Sequence, residues 1–219
     1  MGRERRRRVT IFCLLVAPFL VNGVLNAAVA ATPWLYWSLE VVVWLLWPGA
    51  LLYVASRVAG VDTRRLGLDA TVFGRPSPGA LAAACVLLSA TWPPCYDALE
   101  TLAGAWLPGA PLFVYESVVP GSQPGRLLAA AWFALTAGVV EELIYRGYCW
   151  QLCRDLAHPR AWFLLPGPLL FASVHWEAGL AAVFVAWAFG VMAAVLYLVL
   201  RNLWPLIVAH AVTDFIAFG

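Results

Sequence analysis

Six ionisable residues stand in apolar stretches of the chain: Glu141, Glu142, Arg146, His175, His210 and Asp214. An Asp or Arg at the centre of a membrane helix costs about 2.5–3.5 kcal/mol, so such groups persist where they pair or line a wet cavity. Helical spacing assigns partners. Glu142 and Arg146 are four apart, on one face, with the acid on the N-terminal side, the favourable orientation for an ion pair. Glu141 points about 100° away from Glu142. It has no partner of its own on that helix, which leaves it free to accept a proton as a general base. Phe171 and His175 are also four apart, as are His210 and Asp214. The first pair sets an aromatic ring one turn from an imidazole. The second lets a carboxylate orient an imidazole or share its proton. Glu, His, His and Asp drawn from three helices point to an acid–base site rather than to a structural salt-bridge cluster.

The elements that position these groups must lie in a bilayer. Of 219 residues, 63% are hydrophobic and 12% are charged, and the mean hydropathy is +0.81. An ordinary soluble chain carries roughly 25% charged residues. The 12 Trp agree, since indole rings favour the membrane boundary. The expected fold is all-α, a polytopic transmembrane helical bundle of six to seven helices. Apolar segments run over Val9–Ala31, Trp34–Val58, Gly79–Leu99, Leu127–Leu152, Trp162–Trp176, Leu180–Leu200 and Leu203–Phe218, each near the length of a span. The chain reads as one integral membrane domain, with N-terminal membrane helices over 1–126 and catalytic helices over 127–218. The first segment is read as an uncleaved anchor, although Ala28-Val29-Ala30 resembles a signal-peptide cleavage site. Within the fifth segment, Leu165-Pro166-Gly167-Pro168 breaks a helix and can start a new one at Pro168, predicting a short helix over about 168–178.

The 14 basic residues are all arginine. With the N-terminus inside, the cytoplasmic segments hold Arg3, Arg5, Arg6, Arg7, Arg8, Arg64, Arg65, Arg75, Arg154, Arg160 and Arg201, whereas the outer segments hold Arg126. This is the bias of a membrane protein with a cytoplasmic N-terminus. No basic face for nucleic acid exists; the partners expected are the lipid bilayer and a membrane-associated protein or peptide. None of the 5 cysteines forms a zinc-type spacing, so Cys13, Cys85, Cys95, Cys149 and Cys153 read as packing thiols, and His158 beside Pro159 as a loop residue.

Glu141-Glu142-x-x-x-Arg146, then Phe171-x-x-x-His175, then His210-x-x-x-Asp214 resemble the three motifs of the CPBP family, which holds the Ras-converting type of CAAX endopeptidase and the bacterial Abi-type proteins. The resemblance covers about residues 127–218. It implies a glutamate-dependent intramembrane endopeptidase, without a covalent intermediate or cofactor, in an integral membrane protein of a prokaryotic inner membrane. By the resemblance, Glu141 and His175 activate a water, His210 with Asp214 stabilises the oxyanion, and Glu142, Arg146 and Phe171 support the site. The implied substrate is the C-terminal tail of a protein, either prenylated and CAAX-like or a membrane sorting tail. The family's last motif more often ends in Asn, an amide donor; an ionised Asp214 cannot donate. It is therefore either protonated or serves to orient His210.

Three other readings compete. Two His and several carboxylates are ligands for a divalent ion, but His-Glu-x-x-His is absent. An Abi-type immunity protein would bind a toxin without catalysis. A proton-coupled transporter would show paired broken helices or repeats. Counting about 1.5 Å per residue places Glu141 and His210 in the inner half of the bilayer, which predicts a cavity open to the cytoplasmic side.

Overall fold

A computed structural model describes residues 2–107 and 109–219 and, of Thr63, Arg64 and Pro76, the backbone alone. Ten α-helices dominate it. The first is α1 (Arg3–Val29). α2 (Pro33–Val41) passes through a π-turn at Val42–Leu46 into α3 (Trp47–Val58). α4 (Pro78–Trp106) follows. α5 (Gln123–Glu141) passes through a second π-turn, Glu142–Tyr148, into α6 (Cys149–Cys153). The short α7 (Pro159–Leu164) and α8 (Pro166–Ser173) precede the long α9 (Leu180–Leu200) and α10 (Trp204–Phe218). Thr71–Val72 and Arg75–Pro76 form a small antiparallel hairpin. The protein is an all-α polytopic membrane bundle.

Among the described residues, five helical runs are long and apolar enough to cross a membrane: Arg3–Val29, Pro33–Val58, Pro78–Trp106, Gln123–Cys153 and Leu180–Leu200. Their outer faces carry exposed large apolar side chains, among them Leu45, Leu46, Val86, Leu87 and Leu135; only lipid makes such a surface tolerable. α10 has 15 residues, about 22 Å at 1.5 Å per residue, short of a roughly 30 Å hydrocarbon core. The fifth apolar segment is two short helices rather than a crossing.

Helix boundaries have local causes. α1 begins six residues before its apolar stretch because the arginines continue the helix and cap α3. Arg7 Nη1 donates to the Val58 carbonyl (3.2 Å) and Arg8 Nε to that of Ala59 (2.8 Å), which satisfies the carbonyl groups that α3 leaves free at its end. α8 starts at Pro166 and ends at Ser173, rather than spanning 168–178. Pro166 sits at a helix start and Pro168 in the first turn, where no backbone N–H is needed. His175 therefore lies just beyond α8.

The arginine-bearing turns gather at one end of the bundle. Arg8 reaches Gly60, Tyr148 Oη donates to the Arg8 carbonyl, Gln151 Nε2 donates to that of Asp62, and Asn202 Nδ2 donates to those of Asp69 and Thr71. At the other end the loop after α4 folds inward. Phe113 and Val118 are buried there with Tyr36, Ala129 and Phe133, and Tyr115 and Phe218 pack against them. Cys149 and Cys153 are buried on the face that continues from Glu142 and Arg146, but Cys13 and Cys95 are exposed on helix surfaces; they do not pack as core thiols. His158 is an exposed residue with φ 59° ahead of α7.

Candidate functional site

Two close helix contacts bring the motifs together. A Cβ on Gly138 would lie 3.1 Å from both Ala211 N and Ile207 O, so the bare glycine lets α10 press against α5. A Cβ on Gly190 would lie 3.1 Å from Phe171 Cδ1 and Pro168 Cβ, so α8 sits equally close to α9. Together they converge the ends of α5, α8 and α10 on one point.

The first motif is held in the second π-turn, Glu142–Tyr148, a widened geometry that recurs at functional sites. Glu141 and Glu142 are buried at 4% and 0% exposure, and Arg146 at 2%. Arg146 Nη1 lies 3.0 Å from Glu142 Oε1. The same carboxylate oxygen lies 2.9 Å from His210 Nδ1. A carboxylate can only accept from an N–H, so Nδ1 of His210 carries the proton and donates. Its Nε2 then faces Glu141 Oε2 at 3.6 Å and Asp214 Oδ2 at 3.5 Å. Glu142 thus joins Arg146 to His210 and fixes the imidazole's orientation. The spacing of the third motif offered Asp214 for that task; in the structure Asp214 meets the opposite nitrogen.

His175 is held from its own turn. Its Nδ1 lies 2.9 Å from the Phe171 carbonyl, which only accepts, so Nδ1 is again the protonated nitrogen. Nε2 of a neutral ring is left with its lone pair, the state of a base or a water acceptor. Phe171 packs all of this together. The Arg146 guanidinium lies 4.3 Å above its ring, the His175 ring centroid lies 4.9 Å away and that of His210 6.5 Å. A guanidinium over an aromatic face is an attractive arrangement where water is scarce.

All seven residues singled out in the sequence, Glu141, Glu142, Arg146, Phe171, His175, His210 and Asp214, line one cavity of about 640 Å³. The cavity does not run toward the arginine-bearing end. Its wall continues from the motifs through Thr136 and Phe133, Trp92 and Gly104, to Pro111–Glu116 and Phe218, which belong to the opposite end. Among the described residues, none of the turns at 59–78, 153–161 or 201–203 contributes to it. The expectation of a cavity open on the arginine side is corrected: depth counted along single helices located the site but not the empty space beside it.

The wall also holds residues that the motif reading passed over. Glu40, in the second apolar segment, is 2% exposed and accepts a hydrogen bond from Trp132 Nε1 at 3.3 Å. Glu177 is 7% exposed, and Asn22 is 3% exposed. Glu40 had the signal that exposed the others, a lone acid in an apolar run. It belongs to no motif, and its neighbour at helical spacing, Tyr36, carries no charge. Among the described residues, no group of three or more His, Cys, Asp or Glu is arranged to hold a metal ion.

No curated protein and no solved structure matches the chain. Residues 123–216 match the family described as type II CAAX prenyl endopeptidase Rce1-like. That stretch begins with α5, ends within α10 and contains every motif residue of the site. Over that stretch this membrane protein is similar to the Rce1-like type II CAAX prenyl endopeptidases.

Proposed function

We propose that the protein is an intramembrane endopeptidase that cuts a membrane-associated protein near its C-terminal end, with a water activated by Glu141 and His175. One observation carries this reading. The relay from Arg146 through Glu142 to His210 holds His210 Nε2 beside Glu141 Oε2 (3.6 Å) on a cavity wall. It leaves Glu141 as the motif carboxylate that is not bound to the arginine.

The chemistry follows from these positions. Glu141 takes a proton from the water as its oxygen attacks the scissile carbonyl carbon, while His175 Nε2 accepts the other hydrogen and aims the water. The oxyanion forms beside His210 and Asp214, where a donor lowers the barrier most. On collapse the carbon–nitrogen bond breaks, and the proton held by Glu141 passes to the leaving nitrogen. No covalent enzyme intermediate arises and no cofactor takes part. Glu142, Arg146 and Phe171 act by keeping His210 and His175 in place.

The test is incubation of purified protein with two substrate classes, prenylated C-terminal peptides and membrane-anchored C-terminal tails, with fragments read by mass spectrometry. Cleavage of either class by the parent and of neither by Glu141→Gln is expected. Equal cleavage by the two proteins would rule out a glutamate base.

A further inference from the structure

The cavity wall carries more carboxyl groups than the proposed chemistry uses. Beyond the motif acids it holds Glu40, Glu177, Glu100 and Glu116, and the one arginine that lines it among the described residues, Arg146, is already paired with Glu142 at 3.0 Å. Two of these extra acids are buried. Glu40 is 2% exposed and accepts from an indole N–H at 3.3 Å, with the Tyr36 phenol one turn before it. Glu177 is 7% exposed, and its Oε2 has no hydrogen-bond partner. Beside Glu177 stands Asn22, 3% exposed, whose Oδ1 is likewise without a partner. A Cβ on Gly23 would fall 2.2 Å from Glu177 Cβ, so the Glu177 stem lies directly on the α1 backbone next to Asn22. The Glu177 carbonyl accepts from Leu112 N at 2.6 Å, which fixes this turn to the inward-folded loop. The phenol of Tyr115, on that loop, is held above its usual range by burial first, then by the carboxylates of Glu40 and Glu177, and then by those of Glu141 and Asp214. Both buried acids therefore face the same space as the motif acids.

Buried acceptors without donors are costly unless something donates to them. An anion placed here would be repelled, and an apolar group would leave the acceptors bare. A cation with several N–H groups satisfies both demands through charge-assisted hydrogen bonds. We propose that Glu40, Glu177 and Asn22 form a second, cation-binding subsite of the cavity, taking the ammonium or guanidinium of a basic side chain. That the side chain belongs to the chain being cut rests on the peptidase reading; the cation preference does not. Glu177 follows His175 by two residues, so their Cα atoms are at most about 7 Å apart. The recognised basic residue therefore lies within about two residues of the scissile bond.

Dodecylguanidinium and its neutral isostere dodecylurea separate charge from apolar contact. Titration calorimetry of the full chain in an uncharged detergent is expected to give at least about tenfold tighter binding of the guanidinium. That preference should vanish in Glu40→Gln/Glu177→Gln and persist in Glu141→Gln. A photoreactive dodecylguanidinium should label the parent on the segments around Asn22 and Glu177, a readout that needs no variant to fold. Equal binding of the two probes overturns the proposal, as does a preference that survives the double variant or is lost in Glu141→Gln. Labelling confined to the lipid face of α4 overturns it as well. None of these readouts requires turnover, so a protein that binds the cation but cleaves nothing refutes the peptidase reading and leaves the subsite standing.

Discussion

Replacing Glu141 by Gln removes a proton acceptor with almost no change of shape. Loss of cleavage with an unchanged melting temperature is expected, because no ion pair to Arg146 depends on that carboxylate. A melting temperature lowered as far as that of Arg146→Ala would show Glu141 to be structural. Arg146→Ala is expected to destabilise by roughly 3–5 kcal/mol, since it strands Glu142 buried and unpaired and also strips the guanidinium from Phe171. Thermal or denaturant unfolding measures it. Asp214→Asn tests a finer point. Glu142 already holds His210 Nδ1 at 2.9 Å, so Asp214 is not needed to orient the ring. The substitution should preserve activity and extend it to higher pH, with the amide as a permanent donor; collapse at every pH would give Asp214 an obligatory acceptor role. Spacing alone could not reach this assignment. It pairs His210 with a residue four positions away, whereas the partner that fixes Nδ1 is 68 positions away. Local periodicity made Glu142 and Arg146 legible as a pair, but left Glu40 unread because Tyr36, one turn before it, carries no charge, and Glu177 because Gly23, against which it packs, is on another helix.

The site depends on how closely the helices approach. Gly138 has Ala211 N and Ile207 O within 3.1 Å of where a Cβ would stand, both backbone atoms that cannot rotate aside. Gly138→Leu should push α10 off α5, separate His210 from Glu142 and abolish cleavage; Gly138→Ala should reduce it to a lesser degree. Full activity in Gly138→Leu would mean that α10 does not need this contact. The spans themselves were legible because apolar length is a local property: each of the five long helical runs overlaps one of the apolar segments read from the chain. The π-turn at Glu142–Tyr148 was not, since a widened turn has no distinct composition. Nor was the start of α1 at Arg3, which hydrophobicity hides and which the carbonyl groups at the end of α3 explain.

At the scale of the molecule, the arginine-bearing turns and the cavity lie toward opposite ends. The positive-inside rule predicts that the arginine end is cytoplasmic and that the cavity faces the outer side. A cysteine placed at Glu116, which lines it, in a background lacking the five native cysteines, should react with an impermeant maleimide added to intact cells. One at the exposed Asp155 should react only after permeabilisation. The reverse pattern would invert the topology. Chelation should leave cleavage intact; loss on chelation with recovery on one added metal would install a Lewis acid at the site. Mass spectrometry of C-terminal fragments shows whether Glu141 drives peptide cleavage. Purified parent and Glu141→Gln are each incubated, in the presence of chelator, with membranes from cells that lack the protein. A C-terminal fragment of a membrane-anchored protein is expected to be released by the parent and to be absent with Glu141→Gln. Release of the same fragment by both proteins, or by neither, would contradict cleavage driven by Glu141.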